Sequence, residues 1–565
     1  MRRSHLLALA AHLLSVTLCC AWEKQRVEIP MRDGIRLSAN VFLPAAQGRY
    51  PVLLIRTPYG KGEQPLAGYN LFLESGYALV IQDVRGRFDS QGSFDPLHQE
   101  TADGSDTLDW IARQPWSTGA IGMVGGSYLG IVQWRAAISG NPHLKVIAPA
   151  VAGIDEYRDR FYSTGGAFKL GHRMLWIAEN ICQARLNLPS FERLLRHLPL
   201  RSMDKAACGH SVPFFQQALD HPSYDHFWRA VSTRPHMPRI RTPAFIMAGW
   251  YDNFAESDLE AFQLLTAHGV PARLLVGPWT HALTGDPNIS RFGRQAGIPL
   301  RRLQLEWFNR WLKNTTDANP QPPVRIFVMG DNRWRDEQEW PLRRTQVLAF
   351  YLSSQRAANS LAGDGELLPK PRRRTRQDSF VYDPQNPVPT LGGQVCCNPR
   401  LFPWGPADQT PVEKRPDVLV YTSPPLQERL EVTGIVRASL FVSTSAPDTD
   451  FTAKLVDVFP DGKAINLTDG ILRLRYRHSL EHPEPAQPGK LYHIQIDLGP
   501  TSNAFLPGHR IRLEVSSSNF PRFDRNPNTG RWPAEETSLQ TARQTVYHGR
   551  RYPSRLLLPV IPNPL

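Results

Sequence analysis

A strand-to-helix junction leaves this chain few folds to choose from. Residues 121–130, Ile-Gly-Met-Val-Gly-Gly-Ser-Tyr-Leu-Gly, pass from an apolar run through two glycines and Ser127 into a helical stretch that ends at Ile138. A tight turn of this kind thrusts the serine side chain out over the edge of a parallel sheet, and the glycines let strand and helix approach closely. The surroundings agree. From Arg26 to about Leu144, short β-rich runs at Pro51–Arg56, Tyr77–Asp83 and Ile121–Val124 alternate with helical stretches such as Thr107–Arg113, the rhythm of a mostly parallel sheet flanked by helices.

That rhythm breaks at residues 151–240, which are rich in Leu, Phe, Trp and Arg and show no strand pattern, as an inserted helical cap would. It resumes in strands at Pro243–Gly249 and Ala272–Val276. The helix between them carries Leu259, Phe262 and Leu265 on one face and stops near Gly269. A last helix, Leu303–Leu312, completes the core. Beyond residue 320, proline-punctuated strands beginning with Val324–Met329 predict a β-sandwich or jelly roll. The expected division is core over 22–150, cap over 151–240, core again over 241–320 and β domain over 321–565.

Residues 1–21 read as a signal peptide, because Arg2 and Arg3 precede an apolar run from Leu6 to Leu18 that ends in small residues and Ala21. Removal after Ala21 implies a periplasmic or secreted bacterial protein, exported by either the twin-arginine or the general secretory route. An oxidising compartment would permit a bridge between Cys182 and Cys208, with free buried thiols the alternative. Cys396 and Cys397 are neighbours, for which a mutual bridge is strained, and a structural role is expected in place of a catalytic one. The formal charge of +13 comes from scattered residues, and the one cluster, Arg372 to Arg376, reads as a solvated loop without the aromatic interleaving of a nucleic-acid surface. With no Cys-x-x-Cys or His-Glu-x-x-His, no metal and no cofactor is expected. No second membrane-length span is present, and a homo-oligomer is left open.

A serine hydroxyl needs a base to accept its proton, and the base needs an orienting carboxylate. In a sheet of this type the chain order is serine, acid, histidine. Asp252, in Gly-Trp-Tyr-Asp, follows one late strand, and His281, in Gly-Pro-Trp-Thr-His, follows the next. One helix joins those strands, so both loops fall at the carboxyl edge where Ser127 also lies. Asp258 and Glu256 are weaker acids for the role, lying within the helix. Acyl transfer also needs oxyanion donors; the Tyr128 amide is one, and Tyr59 in the loop 56–61 is a candidate for the other.

At these positions the chain resembles the CocE/NonD hydrolases, relatives of X-prolyl dipeptidyl peptidases and α-amino-acid ester hydrolases. The resemblance rests on Arg56-Thr-Pro-Tyr-Gly-Lys61, Gln82-Asp-Val-Arg-Gly-Arg-Phe-Asp-Ser-Gln-Gly92, Gly125-Gly-Ser-Tyr-Leu-Gly130, Gly249-Trp-Tyr-Asp252 and Gly277-Pro-Trp-Thr-His281. It implies an α/β-hydrolase core with a helical cap and a C-terminal jelly roll, Ser127 as nucleophile, His281 as base, Asp252 as its orienter, and Tyr59 and Tyr128 as oxyanion donors. Asp83 and Arg85 are expected to brace loops only.

The substrate is expected to be a small ester or amide, or a short peptide. Asp155, Glu156 and Asp159 at the start of the cap offer either an ammonium site, with Asp159 foremost, or a solvated helix face. Phe161 and Trp176, with Phe168 and Phe214, suggest an apolar acyl pocket or plain cap packing. An exopeptidase releasing X-Pro dipeptides and a non-catalytic binding protein that uses its β domain are the rival readings.

Overall fold

The computed structural model describes residues 22–315 and 321–562; the expected signal peptide lies outside them. The core is a ten-stranded sheet with strands β1 (Glu23–Pro30), β2 (Arg36–Leu43), β3 (Tyr50–Thr57), β4 (Ala78–Asp83), β5 (Ser117–Gly126), β6 (Leu144–Ala150), β7 (Ala244–Gly249), β8 (Ala272–Gly277), β9 (Val324–Val328) and β10 (Arg333–Glu337). Their spatial order is β1-β2-β4-β3-β5-β6-β7-β8-β9-β10, parallel from β4 through β9 and antiparallel at both ends. Central strands such as β4 and β7 are buried along their whole length, so they read as continuous apolar runs instead of alternating ones. Helices Glu100–Ala112, Tyr128–Ile138, Ala255–Ala267 and Leu300–Leu312 cover the sheet.

One strand is not singled out by the sequence, and one placement needs correction. The run 144–150 is a full strand wedged between β5 and β7, although Lys145 and Pro149 interrupt its pattern. The run at 324–328, expected in the β domain, extends the core instead: Val324 pairs in parallel with Leu274, and β10 adds an antiparallel edge. The core therefore reaches Glu337, past the boundary expected at residue 320.

Between β6 and β7 the chain forms the helical cap, with segments that include Leu170–Trp176, Leu188–Leu195, Pro213–Asp220 and His226–Val231. Cys182 and Cys208 are joined within it, their Cα atoms 5.0 Å apart. From Gln346 onward eleven strands, almost all antiparallel, form the C-terminal jelly-roll domain. Residues 372–375 form an exposed loop, as expected, whereas Arg376 opens the strand Arg376–Tyr382. Among the described residues no helix is long and apolar enough to cross a membrane.

One segment of the β domain reaches back to the core. Residues 393–405 form a strap closed at its base by paired bonds between Gly393 and Gly405. Along it, Gln394 Nε2 donates to the Trp250 carbonyl at 3.0 Å and Asn398 Nδ2 to Glu179 Oε1 at 2.7 Å. The neighbouring Cys396 and Cys397, expected to be structural, are joined to each other on this strap.

Candidate active site

Ser127 sits between β5 and the helix Tyr128–Ile138 with φ 56° and ψ −126°. A residue with a side chain holds such a conformation only under constraint, at a cost of about 1–3 kcal/mol. The constraint is visible. Ser127 N donates to the Ala150 carbonyl at 2.9 Å, and a Cβ on Gly125 or Gly130 would come within 2.5 Å of Leu129 or 2.6 Å of Ala152. Only glycine permits that packing, which lifts the serine hydroxyl above the sheet edge.

The acid and histidine loops are built against each other. Trp250 N bonds to the Gly277 carbonyl and Tyr251 N to the Trp279 carbonyl, both at 2.9 Å. A Cβ on Gly249 would meet the Trp279 carbonyl at 2.2 Å. This close weave brings His281 Nδ1 to 2.7 Å from Asp252 Oδ1, while Asp252 Oδ2 accepts the Phe254 amide at 2.9 Å. Asp252 is 1 % exposed, so its charge acts in a poorly screening environment. An imidazole donating through Nδ1 leaves Nε2 free to accept a proton. Gly125 and Gly126 before Ser127, and Ala282 and Leu283 after His281, line one cavity, which places serine and histidine at the same edge.

Two donor positions face the serine. Tyr128 opens its helix, where backbone amides have no carbonyl four residues earlier to pair with. Its side chain is pinned away, with the hydroxyl donating to Glu100 Oε1 at 2.7 Å and Glu100 paired in turn with Arg56 at 2.7 Å. Tyr59 hydrogen bonds with Ser127 and accepts the indole N–H of Trp176 at 3.0 Å. That indole takes one lone pair of the phenol oxygen, so the O–H is the one proton Tyr59 has to offer an acceptor. Although the Tyr59 residue is 39 % exposed, desolvation of its hydroxyl under the cap pushes its pKa up, against the pull of Trp176 and of the Arg160 charge, which keeps the phenol protonated. The Tyr59 loop is clamped by Lys61, whose amide and ammonium both bond to Asp83, while Arg85 pairs with Asp33 and Asp103; these are the bracing roles expected of Asp83 and Arg85.

The pocket residues divide. Trp176 stacks on Tyr128 with ring centroids 6.2 Å apart and stands at the site through Tyr59. Phe161 lies one layer deeper, under the Arg173 guanidinium at 4.4 Å and beside Trp228. The cap acids are buried, which corrects the reading of a solvated helix face, and Asp159 lines a cavity together with Asp252. Asp159 Oδ2 accepts the amides of Ile154 and Asp155, Asp155 caps a turn and pairs with Arg158, and Glu156 sits between Arg135 and Arg160. Asp258 likewise serves the backbone, accepting the amides of Ala152 and Gly153. Burial, then the charge of Asp252, raises its pKa well above the usual carboxylate range, and the carboxylate bonded to His281 is Asp252. Sequence reasoning missed His172 and Arg173, whose signal was their place one turn before Trp176 on the same helical face. Among the described residues no group of three His, Cys, Asp or Glu side chains could hold a metal ion.

Known proteins supply an independent view. Residues 33–283 match the model for the X-Pro dipeptidyl-peptidase (S15 family), and 316–557 match that for the X-Pro dipeptidyl-peptidase C-terminal non-catalytic domain. The chain is 43 % identical to a cocaine esterase from Rhodococcus sp. (strain MB1 Bresler), over 95 % of this chain and 98 % of that one. Among solved structures, an α-amino acid ester hydrolase superposes with a TM-score of 0.83 at 27 % identity, covering 95 % of this chain and 96 % of the other. An aminopeptidase from a marine sediment Thaumarchaeota archaeon gives 0.82 at 26 %, covering 96 % and 97 %. A nucleophile elbow, a carboxylate-held imidazole and this full-length similarity together make the chain a serine hydrolase of the CocE/NonD family.

Proposed function

We propose that the protein hydrolyses carboxylic esters by two acyl transfers, with Ser127 as nucleophile, His281 as general base and Asp252 as its orienter. The observation that carries this reading is the 2.7 Å contact between His281 Nδ1 and Asp252 Oδ1 at the edge where Ser127 is held in its strained turn. His281 Nε2 takes the proton as Ser127 Oγ attacks the carbonyl carbon. The carbonyl oxygen becomes an oxyanion between the Tyr128 amide and the Tyr59 hydroxyl. Collapse expels the alcohol, which leaves with the proton from His281, and water then releases the acid by the same steps in reverse order. Fluorophosphonate labelling tests the assignment directly: an adduct is expected on Ser127, and an adduct on any other residue, or none, would end it.

Tyr59→Phe keeps the ring against its neighbours but removes the only proton its oxygen can offer. The expected loss in kcat is on the order of a hundredfold with little change in KM, because the bond matters most once charge develops. A loss confined to KM would remove Tyr59 from the oxyanion site.

Ester cleavage is favoured over release of X-Pro dipeptides by the state of the cap acids. An exopeptidase that counts from a free amino terminus needs a carboxylate for the ammonium; Asp155 and Glu156 are paired with arginines, and Asp159, which lines the cavity beside Asp252, spends one oxygen on two backbone amides and already faces the Lys169 charge. Comparing a phenyl ester with Gly-Pro-anilide tests this; faster cleavage of the anilide would reverse the preference.

The protein is also proposed to act outside the cytoplasm. The leader pattern of residues 1–21 and the joined Cys182 and Cys208, a pairing that persists in oxidising compartments, support this. In fractionated cells the mature chain is expected to begin at Trp22; an intact leader on cytoplasmic protein would refute it.

A further inference from the structure

The cap helix Leu170–Trp176, with Lys169 just before it, carries Lys169, His172, Arg173 and Trp176 at spacings of three, four and seven. Side chains so spaced share one face of a helix, and a buried face is ordinarily apolar. This one is not, yet all four are buried: Lys169 is 7 %, His172 3 %, Arg173 3 % and Trp176 8 % exposed. The face looks onto the catalytic residues. Trp176 donates to Tyr59, Lys169 lines a cavity with Asp252 and Asn253, and His172 lies within electrostatic reach of His281.

The charges on this roof do not balance. Arg160 has Glu156, and the Lys169 ammonium donates to the Asp159 backbone carbonyl with the Asp159 charge nearby. Arg173 donates through Nε and Nη2 to the Arg160 carbonyl, and no carboxylate of the described residues lies within ion-pair distance of it. Its guanidinium stands 4.4 Å from the Phe161 ring and 5.5 Å from the Trp176 ring, with the like charge of Arg160, the Glu156 carboxylate and Tyr59 in electrostatic range. Beside it, the His172 Nε2 is buried with no hydrogen-bond partner among the described residues. A buried guanidinium that must share its nearest counter-charge, Glu156, with Arg135 and Arg160, and a buried ring nitrogen without a partner, are both costly. Occurring together beside Trp176 and within electrostatic range of Tyr59 and His281, they form a site that an incoming acceptor completes.

We propose that His172 and Arg173 recognise a negatively charged group, above all a carboxylate, on the substrate. This rests on Ser127, His281 and Asp252 being the catalytic residues, and it makes the preferred substrates esters of anionic acids or of anionic alcohols. The guanidinium presents paired donors that suit a carboxylate, and the aromatic walls around it exclude water and strengthen the bond.

Matched substrates test it on the intact enzyme. p-Nitrophenyl monoadipate and p-nitrophenyl hexanoate have acyl chains of equal length and differ in a terminal carboxylate. 4-Carboxyphenyl butyrate and phenyl butyrate place the same difference on the leaving group. The wild type is expected to favour the anionic member of one pair in kcat/KM, which also says whether the site serves the acyl or the leaving-group side. That ratio is expected to fall about tenfold to a hundredfold in Arg173→Leu and less in Arg173→Lys. His172→Leu, which keeps Arg173 bonded to the Arg160 carbonyl, is read in the same way should Arg173→Leu fail to fold. No preference in either pair, or a ratio that neither leucine variant moves, overturns the proposal. Fluorophosphonate labelling separates the two readings: wild type that labels on Ser127 yet ignores the carboxylate overturns the anion site alone, and wild type that does not label overturns both.

Discussion

Ser127→Ala is expected to lower ester turnover by about three to six orders of magnitude and to abolish fluorophosphonate labelling, with the fold intact. The substitution removes one oxygen and keeps the Cβ, so the elbow at φ 56° and its bond to the Ala150 carbonyl are undisturbed. Thermal unfolding should therefore shift by only a few degrees, which separates loss of chemistry from loss of structure. What activity remains would come from water attacking a carbonyl still held between Tyr59 and the Tyr128 amide. Turnover within tenfold of wild type would show that the bond is broken elsewhere.

Asp252→Asn should cost nearly as much, about 10⁴-fold in kcat, although it changes neither shape nor volume. The carboxylate is 1 % exposed and accepts two hydrogen bonds, from His281 Nδ1 at 2.7 Å and from the Phe254 amide at 2.9 Å. An amide has one acceptor and one donor. With its oxygen kept by the Phe254 amide, its NH₂ faces His281 and drives the ring proton to Nε2, where it blocks acceptance of the serine proton. Substrate binding should be nearly unaffected, so kcat is expected to fall with KM almost constant. A drop below tenfold would leave Asp252 a merely structural residue.

The local chemistry was legible in the sequence because it is written locally. The elbow needs Gly125, Ser127 and Gly130 in series, and Asp252 and His281 each follow an apolar run that can only be a buried strand. What escaped was decided by partners distant in the chain. Nothing in residues 324–328 says that they pair with β8 instead of with a jelly-roll strand, since apolar alternation suits both; only the register of Val324 against Leu274 settles it. The strand at 144–150 was obscured by Lys145 and Pro149, tolerated because β5 and β7 hold it from both sides. The cap acids looked solvated because a run of Asp, Glu and Arg reads the same whether its charges meet water or one another. Tyr59 could be placed in the right loop, but the indole that donates to its oxygen comes from the cap, 117 residues away.

The strap and its neighbours bear on how far this enzyme can be taken apart. The C-terminal domain belongs to a family described as non-catalytic, yet its Gln394 holds the carbonyl of Trp250 and its Asn466 carbonyl receives the Tyr251 hydroxyl at 3.0 Å, so both residues ahead of Asp252 are gripped from outside the core. Chimeras that graft a relative's jelly roll onto this scaffold will transmit any mismatch at those two anchors straight to the imidazole's counter-ion. Modular as the architecture looks on paper, its halves have to be exchanged as a matched set.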